Sequence, residues 1–422
     1  MNMAELTAAT GTTQRQIRYL IVNGFVPAPT GGRAHAVYGE EHLQAVRRFK
    51  DLRALGLRLD EIKKIGPALA DREQPKVKAP TGGTSLLARR SHALSVLTVD
   101  RLARDRPLFK LRYGEIGLDK CAIDMEQHIA HLRIAADYGQ LDLFRNYVEW
   151  VRGLFDGLGL EPTDFFFALI ALRDVLLEEL DRGERAAPQA ILNVVLKDYS
   201  RLEPDRRPLI ELSAPHGTVA QHYLDALLSM RWTEAATLIE TLIDDGLSEV
   251  DLHVHVIQPA MREIGRLWQT RRIGVEHEHI ATAITLGVLA RLSGDHAVPS
   301  GDAPVLVAAC VADELHDIGL RMIADRYERE GWRVLFLGAN APVGAILTAT
   351  IESSADMLAL SATMTPHLDQ VARTIEAIRA DKHIQTTRIA VGGRPFLIAP
   401  DLWQKIGADT CHPDCSTLPL HP

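Results

Sequence analysis

The sequence predicts a multidomain chain: an α-helical helix-turn-helix module, a helical middle region, a four-helix bundle and an α/β doubly wound parallel sheet. Three observations predict this fold class. A basic helical segment with a turn opens the chain, amphipathic helical patterns with short breaks fill its centre, and four apolar strand-like runs alternate with helical patterns near the carboxyl end. The 422 residues allow about three or four domains, and a hydrophobic content of 46% is enough for ordinary cores.

These patterns divide the chain into five segments. The predicted boundaries are 1–70 for the helix-turn-helix module, 71–124 for a linker, 125–205 for a helical domain of uncertain role, 210–296 for the bundle and 300–416 for the sheet domain. The linker prediction rests on residues 71–84, which are rich in Pro, Gly and Lys and lack a clean hydrophobic period. Residues 89–120 are basic and only weakly helical in pattern.

Two short helical patterns separated by a turn at Gly11 form the start of the first module. Thr12 or Thr13 caps the second pattern, because a threonine hydroxyl can accept a hydrogen bond from an unpaired amide at a helix start. Residues 31–38, with paired glycines at their start, predict a turn with short strands.

This order of elements resembles the winged helix-turn-helix of the MerR superfamily, whose two following helices match residues 40–50 and 59–65, joined at Gly56. The resemblance implies that side chains of the second helix and of the wing contact double-stranded DNA. They are Gln14, Arg15, Arg18, Tyr19, Arg33 and His35.

Charge supports this placement of the DNA contacts. Residues 1–65 contain ten Lys or Arg against six Asp or Glu, about +4, whereas the whole chain has a formal net charge of −8. A basic module on an acidic body indicates that nucleic acid meets only the first domain.

The middle region from 125 to 199 is strongly helical in pattern. It contains two apolar stripes rich in aromatic residues, at 141–154 and 165–176. At helical spacing such stripes predict a buried core. A second sensory pocket is the alternative interpretation of these aromatic residues.

Residues 222–292 contain four helical patterns, broken near Arg231, Gly246 and Gly274. Short breaks between helices of this length favour an antiparallel bundle. Downstream, apolar runs near residues 305, 334, 358 and 389 are each followed by a helical or loop pattern, which predicts the parallel sheet.

His316 lies just after the first of these runs, on a loop at the carboxyl end of a predicted strand. That edge of an open α/β sheet is where ligands bind. The stretch from Glu314 to Gly319 resembles the Asp-x-His-x-x-Gly signature of cobalamin-binding Rossmann-like domains, with Glu314 in place of the usual aspartate.

The resemblance implies that His316 is the lower ligand of cobalt and that Glu314 orients the imidazole nitrogen that does not touch the metal. Gly319 lets the corrin ring approach the backbone, and Asp317 lies within the same motif. Later motifs of the family line the slot for the displaced nucleotide tail, and here they match Ser361, Thr363, Gly392 and Gly393.

On the predicted bundle, Trp268 is followed ten residues later by Glu278 and His279. This spacing resembles the Trp-x9-Glu-His pattern of CarH-type photoreceptor repressors, in which the bundle covers the upper face of adenosylcobalamin. The resemblance implies that Trp268 packs against the adenosyl group and that Glu278 and His279 hydrogen-bond it.

Residue 269 departs from that family. After photolysis the CarH type coordinates cobalt through a histidine directly after the tryptophan, whereas this chain has Gln269. An amide oxygen is a poor ligand beside imidazole, so a different switch, or coordination by His277 or His279, is expected.

The predicted function is a cobalamin-dependent, light-responsive transcription regulator without enzymatic activity, acting as a homo-oligomer, a dimer or tetramer, on double-stranded DNA. One alternative is a combined photosensor that also holds a bilin such as biliverdin, because helical extensions ahead of a cobalamin module resemble those of photocobilins. The other is a corrinoid methyl-carrier protein, against which the DNA module and the bulk of Trp268 argue.

A cytoplasmic location with no membrane partner is expected. No apolar run reaches membrane-spanning length, and no signal peptide pattern begins the chain. The four cysteines are too few and too scattered for a disulfide framework.

Overall fold

The N-terminal module contains four helices, and the first three of them contribute to a small apolar core. In the computed structural model, which describes residues 1–31, 36–55, 57–68, 86–292 and 301–418, the four helices are α1 (Met3–Thr10), α2 (Gln14–Val22), α3 (Glu40–Ala54) and α4 (Leu59–Ala68). Leu6, Ile17 and Val46 are completely buried in this core. An antiparallel bridge between Thr30 and Val37 supports the predicted wing.

Thr13, not Thr12, caps the second helix. The Thr13 hydroxyl accepts the backbone N–H of Gln16, and the Gln16 side chain in turn accepts the backbone N–H of Thr13 over 3.0 Å. This reciprocal pair satisfies two amides that would otherwise lack partners at the helix start. Gly11, at φ 59°, forms the left-handed turn ahead of it.

The middle region is helical well before residue 125. Its helices are α5 (Leu86–Arg89), α6 (Ser91–Asp105), α7 (Pro107–Asp137), α8 (Leu141–Leu158), α9 (Pro162–Glu179) and α10 (Arg182–Asp198). A non-helical residue, Gly114 at φ 65°, interrupts α7.

The linker prediction for 71–124 is therefore wrong for residues 86–124, and residues 69–85 lie outside the described part of the chain. The buried face of α6 includes Leu94, Thr98 and Leu102. Because the Thr98 hydroxyl donates to the Leu94 carbonyl over 2.6 Å, a polar side chain is buried without an unmet donor. The apolar stripe of α6 is sparse and includes a threonine, so its sequence has only a weak helical period.

The described residues form two compact units. The first contains the N-terminal module with residues 86–132 and 161–203, and the second contains 133–160 and 204–418. The last turn of α7 and all of α8 thus belong to the second unit, whereas α9 and α10 belong to the first.

The predicted four-helix bundle is present in the second unit. Its helices are α11 (Gly217–Leu228), α12 (Trp232–Asp244), α13 (Glu249–Asp251) continuing through a π-helical turn (Leu252–Ile257) into α14 (Gln258–Gln269), and α15 (Val275–Leu292). Pro259 explains the wide turn, since proline has no N–H to bond the carbonyl four residues earlier. The Gln258 N–H bonds the His253 carbonyl instead, five residues back.

The carboxyl-terminal part of the second unit contains a five-stranded parallel sheet in the order β2-β1-β3-β4-β5. The strands are β1 (Val305–Val311), β2 (Arg333–Ala341), β3 (Met357–Ser361), β4 (Arg388–Gly392) and β5 (Thr410–Cys411). β1 and β3 are neighbours from which the chain winds in opposite directions. Ligands in doubly wound sheets bind at such a switch point, outside the carboxyl ends of the strands.

The sheet is covered by helices α16 (Ile318–Arg329), α17 (Val343–Ser353), α18 (Leu368–Ala380), α19 (Arg394–Ile398) and α20 (Leu402–Lys405). Every residue of β1 is buried, as a continuous apolar strand between two helical layers should be. Met322 of α16 packs into the core of the bundle, so the bundle adjoins the helix that follows His316. Among the described residues, no helix combines the length and apolar character needed to cross a lipid bilayer.

Candidate functional site

The loop after β1 is built around the carboxylate of Glu314, which is 0% exposed. Its Oε1 accepts a hydrogen bond from Nδ1 of His316 over 2.5 Å and another from the backbone N–H of His316 over 3.0 Å. Because a carboxylate only accepts, Nδ1 carries the proton and Nε2 is the nitrogen available to a ligand.

The second oxygen of Glu314 binds the loop after β3. Oε2 accepts the backbone N–H groups of Thr363 and Met364, over 2.6 and 3.1 Å, and Nδ1 of His367 over 3.0 Å. The buried carboxylate of Glu314 thus connects the loop after β1 to the loop after β3 through hydrogen bonds.

His367 and the Met364 amide are parts of this hydrogen-bond network that the sequence did not predict. A single histidine after Thr365-Pro366 has no spacing that marks a site, and an amide has no sequence signal. The one available signal was position, since His367 follows a strand that ends at the same edge as β1.

The electrostatics match this geometry. Burial acts to raise the pKa of Glu314, but hydrogen bonds from His316, His367 and the two loop backbones outweigh it and hold the pKa well below the ordinary range. The hydrogen bond to Glu314 raises the pKa of His316, burial opposes this, and the charge of Glu278 adds a smaller upward contribution. Burial also raises the pKa of Asp317, the next residue of the loop.

These residues fit a corrin with a histidine ligand. The His316 side chain is 60% exposed although Nδ1 is fixed, and a Cβ built on Gly319 would meet no atom within 4 Å beyond its chain neighbours and the backbone of its own helix. An oriented imidazole beside an open backbone is what a large planar metal cofactor requires.

The four residues predicted to line the tail slot lie together at the ends of β3 and β4. Ser361 is paired in register with Gly392, and the Ala362 N–H bonds the Gly392 carbonyl over 3.1 Å. Gly393 has φ 109°, and a Cβ there would lie 2.0 Å from the Ala362 carbonyl oxygen. This close backbone approach is one reason for Gly393, independent of any ligand.

The predicted residues of the bundle lie on α14 and α15. Trp268 is 37% exposed at the end of α14. Glu278 accepts hydrogen bonds from Nδ1 of His279 and the Thr282 hydroxyl, over 2.7 and 3.1 Å. The negative charge of Glu278 adds a small upward contribution to the pKa of His316.

Gln269 makes a contact that the sequence did not predict. Its side-chain Nε2 donates to the backbone carbonyl of Trp150 on α8, over 2.8 Å. Of the two histidines considered as substitute ligands, His277 is paired with Glu276 and is less exposed than His279.

In the N-terminal module, the predicted DNA-contacting residues of α2 are all exposed. Gln14, Arg15 and Arg18 are exposed whereas Ile17 is buried, and Tyr19 is 48% exposed. A large aromatic side chain on the polar face of a basic helix fits a surface that meets a partner. Arg33 and His35 lie outside the described residues.

Three stretches of the chain match known families. Residues 1–69 match the MerR HTH family regulatory protein, and residues 219–293 and 304–415 each match a B12 binding domain. A bundle followed by a doubly wound sheet with a histidine–carboxylate pair at its switch point is thus a cobalamin-binding module.

Among curated relatives, the chain is 27% identical over 176 residues to the HTH-type transcriptional repressor CarA of Myxococcus xanthus, covering 40% of this chain and 59% of that protein. It is 30% identical over 155 residues to dimethylamine corrinoid protein 1 of Methanosarcina acetivorans, covering 35% of this chain and 70% of that protein. The solved Methanosarcina barkeri monomethylamine corrinoid protein shares 16% identity with a TM-score of 0.41, covering 48% of this chain and 95% of that one.

The chain belongs to the B12-binding corrinoid protein family, as the second relative shows. Its MerR-type module gives it the architecture of a cobalamin-dependent transcription regulator, and the fold class and family resemblance predicted from sequence are confirmed.

Proposed function

We propose that this chain is a light-responsive transcription regulator that binds DNA through its MerR-type module and adenosylcobalamin through its bundle and sheet. The observation that carries the cofactor assignment is the Glu314–His316 pair, which fixes Nδ1 at the switch point and leaves Nε2 for cobalt. Bound adenosylcobalamin would supply a cobalt–carbon bond that visible light breaks.

In this proposal each part of the site has one task. His316 holds the lower face, Glu314 fixes its orientation, and Gly319 admits the ring edge. Ser361, Thr363, Gly392 and Gly393 enclose the nucleotide tail at the ends of β3 and β4. Trp268, Glu278 and His279 of the bundle recognise the upper group, Trp268 by its flat apolar area and the other two by hydrogen bonds.

The DNA-binding role rests on α2. Gln14, Arg15, Arg18 and Tyr19 form one exposed face, on which arginine and glutamine can reach base edges or phosphates. The chain acts by binding rather than catalysis, in the cytoplasm and as a homo-oligomer, a dimer or tetramer.

A corrinoid methyl carrier is the second candidate, because several curated relatives are named dimethylamine corrinoid proteins. The MerR-type module at residues 1–69 disfavours it. A bilin-binding middle region is a third candidate, and burial of Phe165, Phe166 and Phe167 in the described structure favours a core role for that stripe instead.

Absorption spectra test these candidates directly. The full-length protein, purified after incubation with adenosylcobalamin and biliverdin, should retain the cobalamin spectrum alone, and its binding to promoter DNA should differ between darkness and green light. Retention of a bilin band would favour the combined sensor. DNA binding that is the same in darkness and in light would contradict the proposal. So would a protein that transfers methyl groups and does not bind DNA.

A further inference from the structure

Two glycines on one face of α8 receive the end of the bundle helix that carries Trp268. Gly153 and Gly157 are four residues apart, so they lie one above the other on the same side of the helix. The chain opposite them is the end of α14, at Gln269 and Thr270.

The approach is too close for any larger residue at Gly157. A Cβ there would lie 2.7 Å from the Thr270 carbonyl carbon and 2.9 Å from its Cα, and these are backbone atoms that cannot rotate away. A Cβ at Gly153 would lie 2.7 Å from Nε2 of Gln269, the mobile end of a side chain. Gly157 therefore sets the distance between the two helices.

A hydrogen bond fixes the register at the same place. Nε2 of Gln269 donates to the carbonyl of Trp150 over 2.8 Å, one turn before Gly153. The Trp150 indole stacks on Tyr147 with an interplanar angle of 17°. We call Trp150, Gly153 and Gly157 the α8 seat.

The helix that carries this seat is also held at the sheet. Asn146 of α8 accepts hydrogen bonds from the guanidinium of Arg394 over 3.3 and 3.1 Å. Arg394 directly follows Gly393, at the carboxyl end of β4. The helix α8 thus contacts both the bundle and the edge of the sheet where the tail slot lies.

We propose that the α8 seat positions the end of α14, and with it Trp268, against the upper group of the cofactor, and that Gln269 is a positioning residue. This inference rests on the proposed adenosylcobalamin site. The Gln269 amide is committed to a carbonyl of the protein, so its place after Trp268 serves attachment of the helix to α8.

Gln269 and Thr270, the two residues after Trp268, both contact α8. The chain continues from α8 into α9 of the first unit. The segment 133–160 is thus one of the covalent connections between the cofactor module and the unit that contains the DNA-binding module.

The test compares three variants of the full chain: Gln269→Ala, Gly157→Ala, and Gly183→Ala as the control. Gly183 is a helical glycine of α10 whose added Cβ would make only an ordinary 3.4 Å contact. For each, the affinities for adenosylcobalamin and hydroxocobalamin are measured, together with hydrogen exchange of residues 266–270 in cofactor-free protein.

Loss of the Gln269 hydrogen bond should lower the preference for adenosylcobalamin over hydroxocobalamin by about 2- to 10-fold. Gly157→Ala should lower it at least as much, and both variants should exchange faster at 266–270. Hydroxocobalamin affinity should stay unchanged, since it depends on His316, and a merely unfolded variant would lose it.

Two results would overturn the inference in distinguishable ways. If the native protein prefers adenosylcobalamin and both variants keep that preference and the native exchange rates, the seat has no positioning role while the cofactor assignment stands. If the native protein shows no preference between the two cobalamins, recognition of the upper group fails, and the inference falls with it.

Discussion

The imidazole of His316 and the carboxylate of Glu314, two residues apart, are joined by a 2.5 Å hydrogen bond inside one loop. The carboxylate is fully buried, while most of the ring is exposed. The buried carboxylate therefore fixes the orientation of the imidazole, and the exposed part of the ring stays accessible, as a metal ligand requires.

Replacing His316 should remove tight cobalamin binding. Mutation of a residue that merely supports a metal ligand typically costs about 10- to 100-fold in affinity, so His316→Ala should lose at least that much. Equilibrium binding and the absorption spectrum of the bound cofactor measure the loss. His383→Ala, at an exposed histidine of the same sheet domain, is the matched control. Equal affinity and identical spectra in the His316 variant and the native protein would show that His316 is not a ligand.

Substitution of Gly393 by alanine should mainly lower stability, whereas substitution of Gly319 should mainly lower cobalamin affinity. At Gly393 the φ of 109° and the 2.0 Å approach to the Ala362 oxygen predict a loss of about 2–4 kcal/mol in unfolding free energy. At Gly319 an added Cβ makes no contact within 4 Å beyond its chain neighbours and its own helix backbone, so Gly319→Ala should change stability by less than about 1 kcal/mol while cobalamin affinity falls. Denaturant unfolding and cofactor titration of both variants separate the two effects. A Gly319 variant with native affinity would contradict a corrin lying over that residue.

DNA binding should depend on Arg15 and Arg18 and weaken with salt. Removing one side chain that binds a phosphate should reduce the slope of log affinity against log salt by about 1. Arg15→Ala and Arg18→Ala should therefore bind promoter DNA more weakly with a shallower slope, while the cobalamin spectrum is retained. Arg182→Ala, at an exposed arginine on α10, is the control. Unchanged slopes in both α2 variants would exclude this face from the DNA interface.

Stability of the middle region should rise with pH because of His128. Burial, followed by the neighbouring His131, lowers the pKa of His128 to about 3 from an ordinary 6.5, and its ring lies 5.0 Å from that of Phe165. Between these two pH values the unfolded chain binds a proton that the folded chain does not, so the unfolding free energy should fall as the pH falls. The expected loss is about 1.4 kcal/mol per pH unit.

His128→Gln removes this titration. The difference in unfolding free energy between the native protein and His128→Gln, measured from pH 7 to pH 4, isolates the contribution of His128. The unfolding free energy of the native protein, relative to that of His128→Gln, should decrease steadily as the pH falls. A difference that does not vary with pH would mean that His128 titrates normally in the fold.

The sequence predicted those parts of the site that depend on local spacing. Glu314, His316 and Gly319 fall within six residues, and the strand patterns place them at the edge where β3 and β4 also end. The four bundle helices likewise followed from their own periodicity and breaks.

Features that depend on contacts between distant segments could not be predicted. His367 joins Glu314 from 53 residues away, and Gln269 meets Trp150 across 119 residues. Neither residue type is unusual in its local setting. The strand β5 has only two residues, too few for a pattern, and it forms by pairing with the otherwise open edge of β4.

The assignment of residues 133–160 to the second unit bears on how such a regulator can be divided or recombined. A fragment that starts near residue 210 would contain the bundle and the sheet. It would lack α8, the helix whose two glycines contact the end of α14. Grafting a foreign middle region between the DNA-binding and cofactor modules would have the same effect, unless the graft brought its own counterpart of α8. The cofactor module is thus discontinuous in sequence, and exchange of parts should succeed where α8 travels with the bundle.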